Sequence, residues 1–122
     1  MKNISILLVE DNKSNKDVFV ALLESYGLEI DTVSNGFEAI EAVKKKKYDI
    51  IFMDIQLPLM NGFDATKEIR KLPQMQNVPI IAVTAHTRES DQKKSLESGM
   101  TAHLSKPLDP KLLFSIIDEY LK

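Results

Sequence analysis

The sequence predicts an α/β fold built on a doubly wound parallel sheet. Three observations predict it. Short apolar runs recur along the chain, at residues 4–9, 30–33, 50–53, 80–83 and 102–104. Helix-period patterns fill the spaces between these runs and follow the last one. The first, third and fourth runs are apolar without alternation, the mark of strands covered on both faces.

Each element has its own signal. Ile30–Val33 is broken by Asp31 and Thr32 and reads as an edge strand. Residues 13–26 place Val18, Phe19, Leu22, Leu23 and Tyr26 on one helical face, and Gly27 stops the helix. Residues 36–46 follow Asn35 and Glu38 at capping-box spacing and are expected to bury Phe37, Ile40 and Val43. Asn61 caps a helix expected to run to Leu72, with Asp64 in its first turn and Pro73 beyond its end. Residues 90–98 form a polar helix whose main apolar residue is Leu96, closed by Gly99. Asp109 and Pro110 open the last helix as N-cap and first helical residue, and Leu112, Leu113, Ile116, Ile117 and Tyr120 supply its apolar face. The order is therefore (βα)5. With right-handed crossovers, the flavodoxin-like strand order 2-1-3-4-5 suits the edge character of the second strand.

Composition narrows the function. The chain has 122 residues, the size of one domain spanning 1–122, with no linker, internal repeat or room for an output domain. Lysine and arginine number 16 against 18 aspartates and glutamates, a net charge of −2 that argues against nucleic-acid binding. The absence of cysteine excludes a disulfide framework, a thiolate nucleophile and a cysteine zinc site. No apolar run approaches the ~20 residues needed for membrane insertion. The N-terminus reads as a strand and not as a signal peptide, so the cytoplasm is expected. Lys44–Lys47 is the one charge run, read as a solvated helix end, with partner docking as the alternative.

In an open α/β sheet, ligands gather outside the carboxyl ends of the strands, at the switch point between strands one and three. The residues delivered there are Glu10, Asp11 and Asn12 after the first strand, Asp54 after the third, Thr84 after the fourth, and Ser105, Lys106 and Pro107 after the fifth. Three carboxylates in one place repel one another unless a cation joins them. Lys106 is one such cation, and a hard divalent ion such as Mg²⁺ is another. So neutralised, Asp54 can act as a nucleophile toward a phosphoryl group. Alone, Glu10 and Asp11 would read as turn residues, and Thr84 and Lys106 as ordinary strand-end residues.

Four segments carry a resemblance: Leu8-Val9-Glu10-Asp11-Asn12, the run from Met53 and Asp54 through Pro58 to Asn61 and Gly62, Pro79 through Thr84 and Ala85, and Ser105-Lys106-Pro107. Together they resemble the receiver domains of two-component response regulators, the chemotaxis-regulator family, in order and spacing over essentially the whole chain. The resemblance implies a phosphoprotein, not an enzyme, in which Asp54 takes the phosphoryl group as an aspartyl phosphate. It implies Asp11 as a direct Mg²⁺ ligand, Glu10 acting through water, and the Gln56 backbone carbonyl completing the set with Asp54; Mn²⁺ is an alternative metal. Thr84 takes the place of the switch hydroxyl and Lys106 that of the phosphoryl contact, with a cis peptide bond before Pro107. Two departures stand out: Glu10 replaces a common aspartate, and His103 stands where the family carries a switch aromatic. Gln56 and His86 are either solvent-exposed or set the phosphoryl lifetime.

The implied phosphodonor is a histidine kinase or a histidine phosphotransfer protein in a phosphorelay. The implied output is a partner controlled by the face around the fourth helix, fifth strand and fifth helix, as a monomer or a phosphorylation-dependent dimer. A stand-alone receiver and a module of a hybrid sensor kinase both fit. An aspartyl-phosphate phosphatase is the competing enzyme reading, but its nucleophile would be expected after the first strand. A flavin carrier of the same fold is disfavoured by the acidic Glu10-Asp11 where a phosphate loop would lie.

Overall fold

The computed structural model describes residues 4–85, 89–106 and 108–121, with the side chains of residues 89–91 outside the description. Five parallel strands form one sheet: β1 Ser5–Val9, β2 Glu29–Val33, β3 Ile50–Asp54, β4 Ile80–Thr84 and β5 Ala102–Ser105. Their order is 2-1-3-4-5, as the crossover argument predicts. The helices are α1 Lys13–Ser25, α2 Gly36–Lys45, α3 Gly62–Arg70, α4 Glu89–Ser98 and α5 Pro110–Leu121, with a 3-10 turn over Pro73–Met75.

The central strands are apolar because both of their faces are covered. Successive residues of β1 point to opposite sides: Leu7 and Val9 join the core under α2 and α3, while Ile6 and Leu8 join the core under α1 and α5. Ile51 and Met53 divide from Ile50 and Phe52 in the same way on β3. β2 pairs only with β1 and is largely exposed, as its broken apolar pattern predicts.

Side-chain caps start the helices at the carboxyl rim. Asn12 accepts the Asn15 amide at 3.0 Å, Asn35 the Glu38 amide at 2.9 Å, and Asn61 the Asp64 amide at 2.9 Å. Asp109 accepts from the Lys111 amide at 2.9 Å. Glu38 returns a bond from the Ser34 amide at 2.7 Å, one residue before the position a capping box would use. Gly27 takes a φ of 75° after α1, a conformation that side chains disfavour.

Several expected core residues lie outside the core. Val18, Tyr26, Phe37 and Leu112 are exposed; Phe19 and Leu23, Ala39 and Val43, and Leu113 and Ile117 do the burying in α1, α2 and α5. Each helix lays a narrower stripe on the sheet than its apolar periodicity suggests. The third helix ends at Arg70, two residues short of Leu72, because Leu72 is the extended residue that starts the 3-10 turn.

Arg70 ties this corner together. Its Nε donates to the Gly99 carbonyl at 2.9 Å, and Nη1 donates to the carbonyls of Met75 at 2.5 Å and Val78 at 2.7 Å. Nη2 reaches Thr101 Oγ1 at 3.3 Å, and that hydroxyl accepts the Ile80 amide at 3.1 Å. The guanidinium thus bridges the exit of α4 to the entries of β4 and β5. Arg70→Met keeps the stem but removes every donor, and is expected to lower unfolding free energy by about 2 kcal/mol, read by chemical denaturation. An unchanged midpoint would show that water replaces the guanidinium at no cost.

Candidate functional site

The sheet order sets β1 beside β3 and β3 beside β4, so the residues after these strands meet at one rim. Asp54 is the last residue of β3 and pairs in register with Val83, the residue before Thr84. Thr84 is buried at the end of β4, and its carbonyl accepts the Lys106 amide at 2.8 Å. That backbone bond fixes where the Lys106 side chain departs from the end of β5.

Lys106 then joins the carboxylates. Its Nζ lies 3.1 Å from Asp54 Oδ2 and 3.1 Å from Glu10 Oε1. The other Asp54 oxygen accepts the Gln56 amide at 3.0 Å, and Glu10 Oε2 accepts the Asn12 amide at 3.2 Å. Glu10 is 0% exposed and Asp54 4% exposed, whereas Asp11 opens to solvent. Glu10, Asp11 and Asp54 each present a carboxylate oxygen, all within 4.8 Å of one another.

Burial and charge crowding set the electrostatics. Burial, reinforced by the Glu10 carboxylate, pushes Asp54 up to about 6 against the pull of Lys106. Burial also opposes the Glu10 charge, but contact with the Asp54 carboxyl, the Asn12 amide and Lys106 outweighs it and holds Glu10 low. Burial works against the Lys106 charge too, yet the two carboxylates keep its pKa above the ordinary lysine value. Coupled in this way, the two acids hold a shared proton below about pH 6 and lose it above.

The donor set suits a hard divalent ion. All three groups are carboxylates, one is open to solvent, and the fully buried Glu10 Oε1 lacks an aligned hydrogen bond despite its ammonium neighbour. Asp11 is the carboxylate open to solvent, whereas Glu10 has one oxygen beside Lys106 and the other bonded to the Asn12 amide.

The structure thus brings together Glu10, Asp11, Asp54 and Lys106, with Thr84 at the adjoining strand end. Gln56 follows Asp54 with an exposed side chain, and its amide already serves the Asp54 carboxylate. His103 is exposed on β5, opposite Ala82 and away from this cluster in sequence register. His86 and Pro107, with its expected cis bond, lie outside the described residues. The sequence reading set Asn12 at this rim but missed its two roles, capping α1 and donating its amide to Glu10; the Asp11-Asn12 pair before a helical pattern was the available signal. It also missed the tight turn in which Met60 donates to the Pro58 carbonyl at 2.7 Å while Leu59, at the apex, holds a φ of 69°. No feature of a leucine announces that conformation.

Among the described residues, no helix is long and apolar enough to cross a membrane. The family model of the response regulator receiver domain matches residues 6–118. The signal transduction histidine-protein kinase BarA of Escherichia coli K12 is 36% identical over 117 residues, covering 96% of this chain and 13% of that protein. The chain therefore spans a small part of the length of that relative. A solved receiver domain of the sensor histidine kinase PA1611 from Pseudomonas aeruginosa, with magnesium coordinated in its active-site cleft, is 38% identical with a TM-score of 0.91, covering 98% of each chain. A receiver domain from Saccharomyces cerevisiae, solved in complex with a histidine phosphotransfer protein, is 32% identical with a TM-score of 0.90, covering 97% of this chain and 88% of that one. This chain belongs to the response regulator receiver domains, the signalling switches of two-component phosphorelays.

Proposed function

We propose that the chain takes a phosphoryl group from a phosphohistidine donor onto Asp54, with Mg²⁺, and so controls a protein partner. The observation that carries this reading is the convergence of three carboxylates and the Lys106 ammonium on one rim. An Asp54 carboxylate oxygen attacks phosphorus, the phosphorus–nitrogen bond of the donor breaks, and the imidazole leaves with a proton from solvent. Lys106 then pairs with a phosphoryl oxygen in place of Asp54 Oδ2, and the Thr84 hydroxyl supplies a further hydrogen bond. Asp11, Asp54, the Gln56 carbonyl and, through water, Glu10 would hold the metal. When bound, that ion supplies charge neutralisation for the acidic cluster and the incoming phosphoryl group. Thr84 would link the phosphoryl group to β5, α4 and α5, with His103 at the switch position.

The pKa of Asp54 gives this reading a pH dependence. The metal needs the ionised carboxylate, whose folded-state pKa is raised to about 6. Mg²⁺ affinity is therefore expected to rise with pH through about 6 and level off above it. By calorimetric titration, binding at pH 5 should be about tenfold weaker than at pH 7.5. A flat profile would remove Asp54 from the metal site.

An apolar recess lies beside the site, where the phosphodonor would dock. Val18, half exposed on α1, and Leu108 line a small recess with Asn15, Phe19 and Lys106. Apolar surface next to the acceptor suits a histidine phosphotransfer protein or kinase helix. Val18→Asp is expected to slow transfer from a phosphohistidine protein by about tenfold while leaving labelling by acetyl phosphate unchanged. Equal loss with both donors would place the effect in the chemistry and not in docking.

A further inference from the structure

The lysine run 44–47 borders a recess of about 400 Å³ at the opposite end of the sheet from Asp54, where β3 and β4 begin. Its floor is apolar: Val43, Tyr48 and Met75 are buried there and Val78 is half-buried. Its rim is cationic. Lys44 pairs with Glu41 at 3.3 Å and Lys46 with Asp31 at 3.0 Å, while Lys45 and Lys47 form no ion pair among the described residues.

Both walls are held in place by groups that the phosphoacceptor chemistry does not use. The Tyr48 hydroxyl donates to Asp31 at 2.7 Å, and Lys46 sits 5.5 Å from the centre of the Tyr48 ring. Across the recess, Arg70 Nη1 fixes the carbonyls of Met75 and Val78. The Asp49 carboxylate, the acidic group on this wall, accepts the Ser5 amide at 2.8 Å. A preformed cavity with an apolar floor and a cationic rim suits a ligand that carries both kinds of group.

We propose that this recess docks an acidic peptide segment of a partner protein, its apolar side chain on the Val43, Tyr48 and Met75 floor and its carboxylates against Lys45 and Lys47. A nucleic acid is the poorer occupant, because the chain has a net charge of −2 and this short run supplies only Lys44, Lys45, Lys46 and Lys47 of its 16 lysines and arginines. A membrane is poorer still: the exposed large apolar residues Val18, Tyr26, Phe37, Leu59, Leu96 and Leu112 lie elsewhere, and none lines the recess.

The test is a titration of the isotope-labelled chain with a short acidic peptide bearing a central leucine, followed by amide chemical shifts. Shifts confined to residues 43–49 and 74–78 are expected. The double variant Lys45→Glu, Lys47→Glu should bind about tenfold more weakly, as two exposed charge contacts allow. A peptide with serine in place of leucine should also bind more weakly. Acetyl phosphate labelling of the double variant should match wild type, which separates docking from both misfolding and phosphoacceptor function. The absence of localised shifts, equal binding by the double variant, or stronger lysine-dependent shifts with oligothymidylate or phosphatidylserine vesicles would overturn the proposal.

Discussion

Asp54→Asn is expected to reduce Mg²⁺-dependent labelling by acetyl phosphate more than about a hundredfold, because it removes the proposed nucleophile. The variant should nonetheless fold at least as well as wild type. In the metal-free protein the Asp54 carboxyl is buried against Glu10, and its pKa rises from 3.8 to about 6. A raised carboxyl pKa means the protonated form stabilises the native state, and this contribution is lost as pH rises through about 6. Above that pH the ionised Asp54 is a burden that the neutral amide removes, so Asp54→Asn should be about 2 kcal/mol more stable than wild type at pH 7.5 without metal. The advantage should shrink as pH falls toward 4. Loss of labelling with unchanged or greater stability identifies the carboxylate as a reactive group; loss of both would make it merely structural.

Gly62→Ala is the second substitution with a large expected effect. A Cβ at Gly62 would lie 2.9 Å from Ile55 Cα, 3.1 Å from the Asp54 carbonyl carbon and closer still to the Asp54 carbonyl oxygen. All three are backbone atoms, so no side-chain rotation relieves the contact. The Gly62 amide also donates to the Ile55 carbonyl at 2.9 Å, and the Ile55 amide donates to Val83 at 3.2 Å. The start of α3 is thus pressed directly against the chain that carries Asp54. Alanine would gain up to about 1 kcal/mol of helix propensity, but the overlap should outweigh it and leave a net loss of about 3 kcal/mol, measured by denaturation. Because relief requires moving Asp54, Mg²⁺ affinity should fall as well. A stable Gly62→Ala variant with wild-type metal affinity would show that α3 can retreat without disturbing the site.

The parts of the molecule set by short-range pattern were legible before the structure. Uninterrupted apolar runs specify strands covered on both faces, and the acidic or hydroxyl residue after each central run specifies the rim. That is why Glu10, Asp11, Asp54 and Lys106 could be placed together from their positions in the chain. Burial within the helices was less legible. Val18, Phe37 and Leu112 fit a helical apolar face, but a helix seated on a sheet covers only part of that face. Arg70 reads as an ordinary cation near a helix end, yet it binds three backbone carbonyls brought together from distant segments, and carbonyls carry no sequence signal. Asn61-Gly62 reads as a cap and turn; the close approach that requires glycine arises only when α3 meets the end of β3.

The most direct test of the phosphoacceptor account is to trap the phosphorylated chain. Protein treated with acetyl phosphate and Mg²⁺ would be reduced with borohydride, which converts an acyl phosphate to an alcohol, and its peptides read by mass spectrometry. The account predicts reduction at Asp54 alone, dependent on Mg²⁺. Reduction at Asp11 or Glu10 instead, or an unmodified Asp54 under conditions that phosphorylate the chain elsewhere, would contradict it.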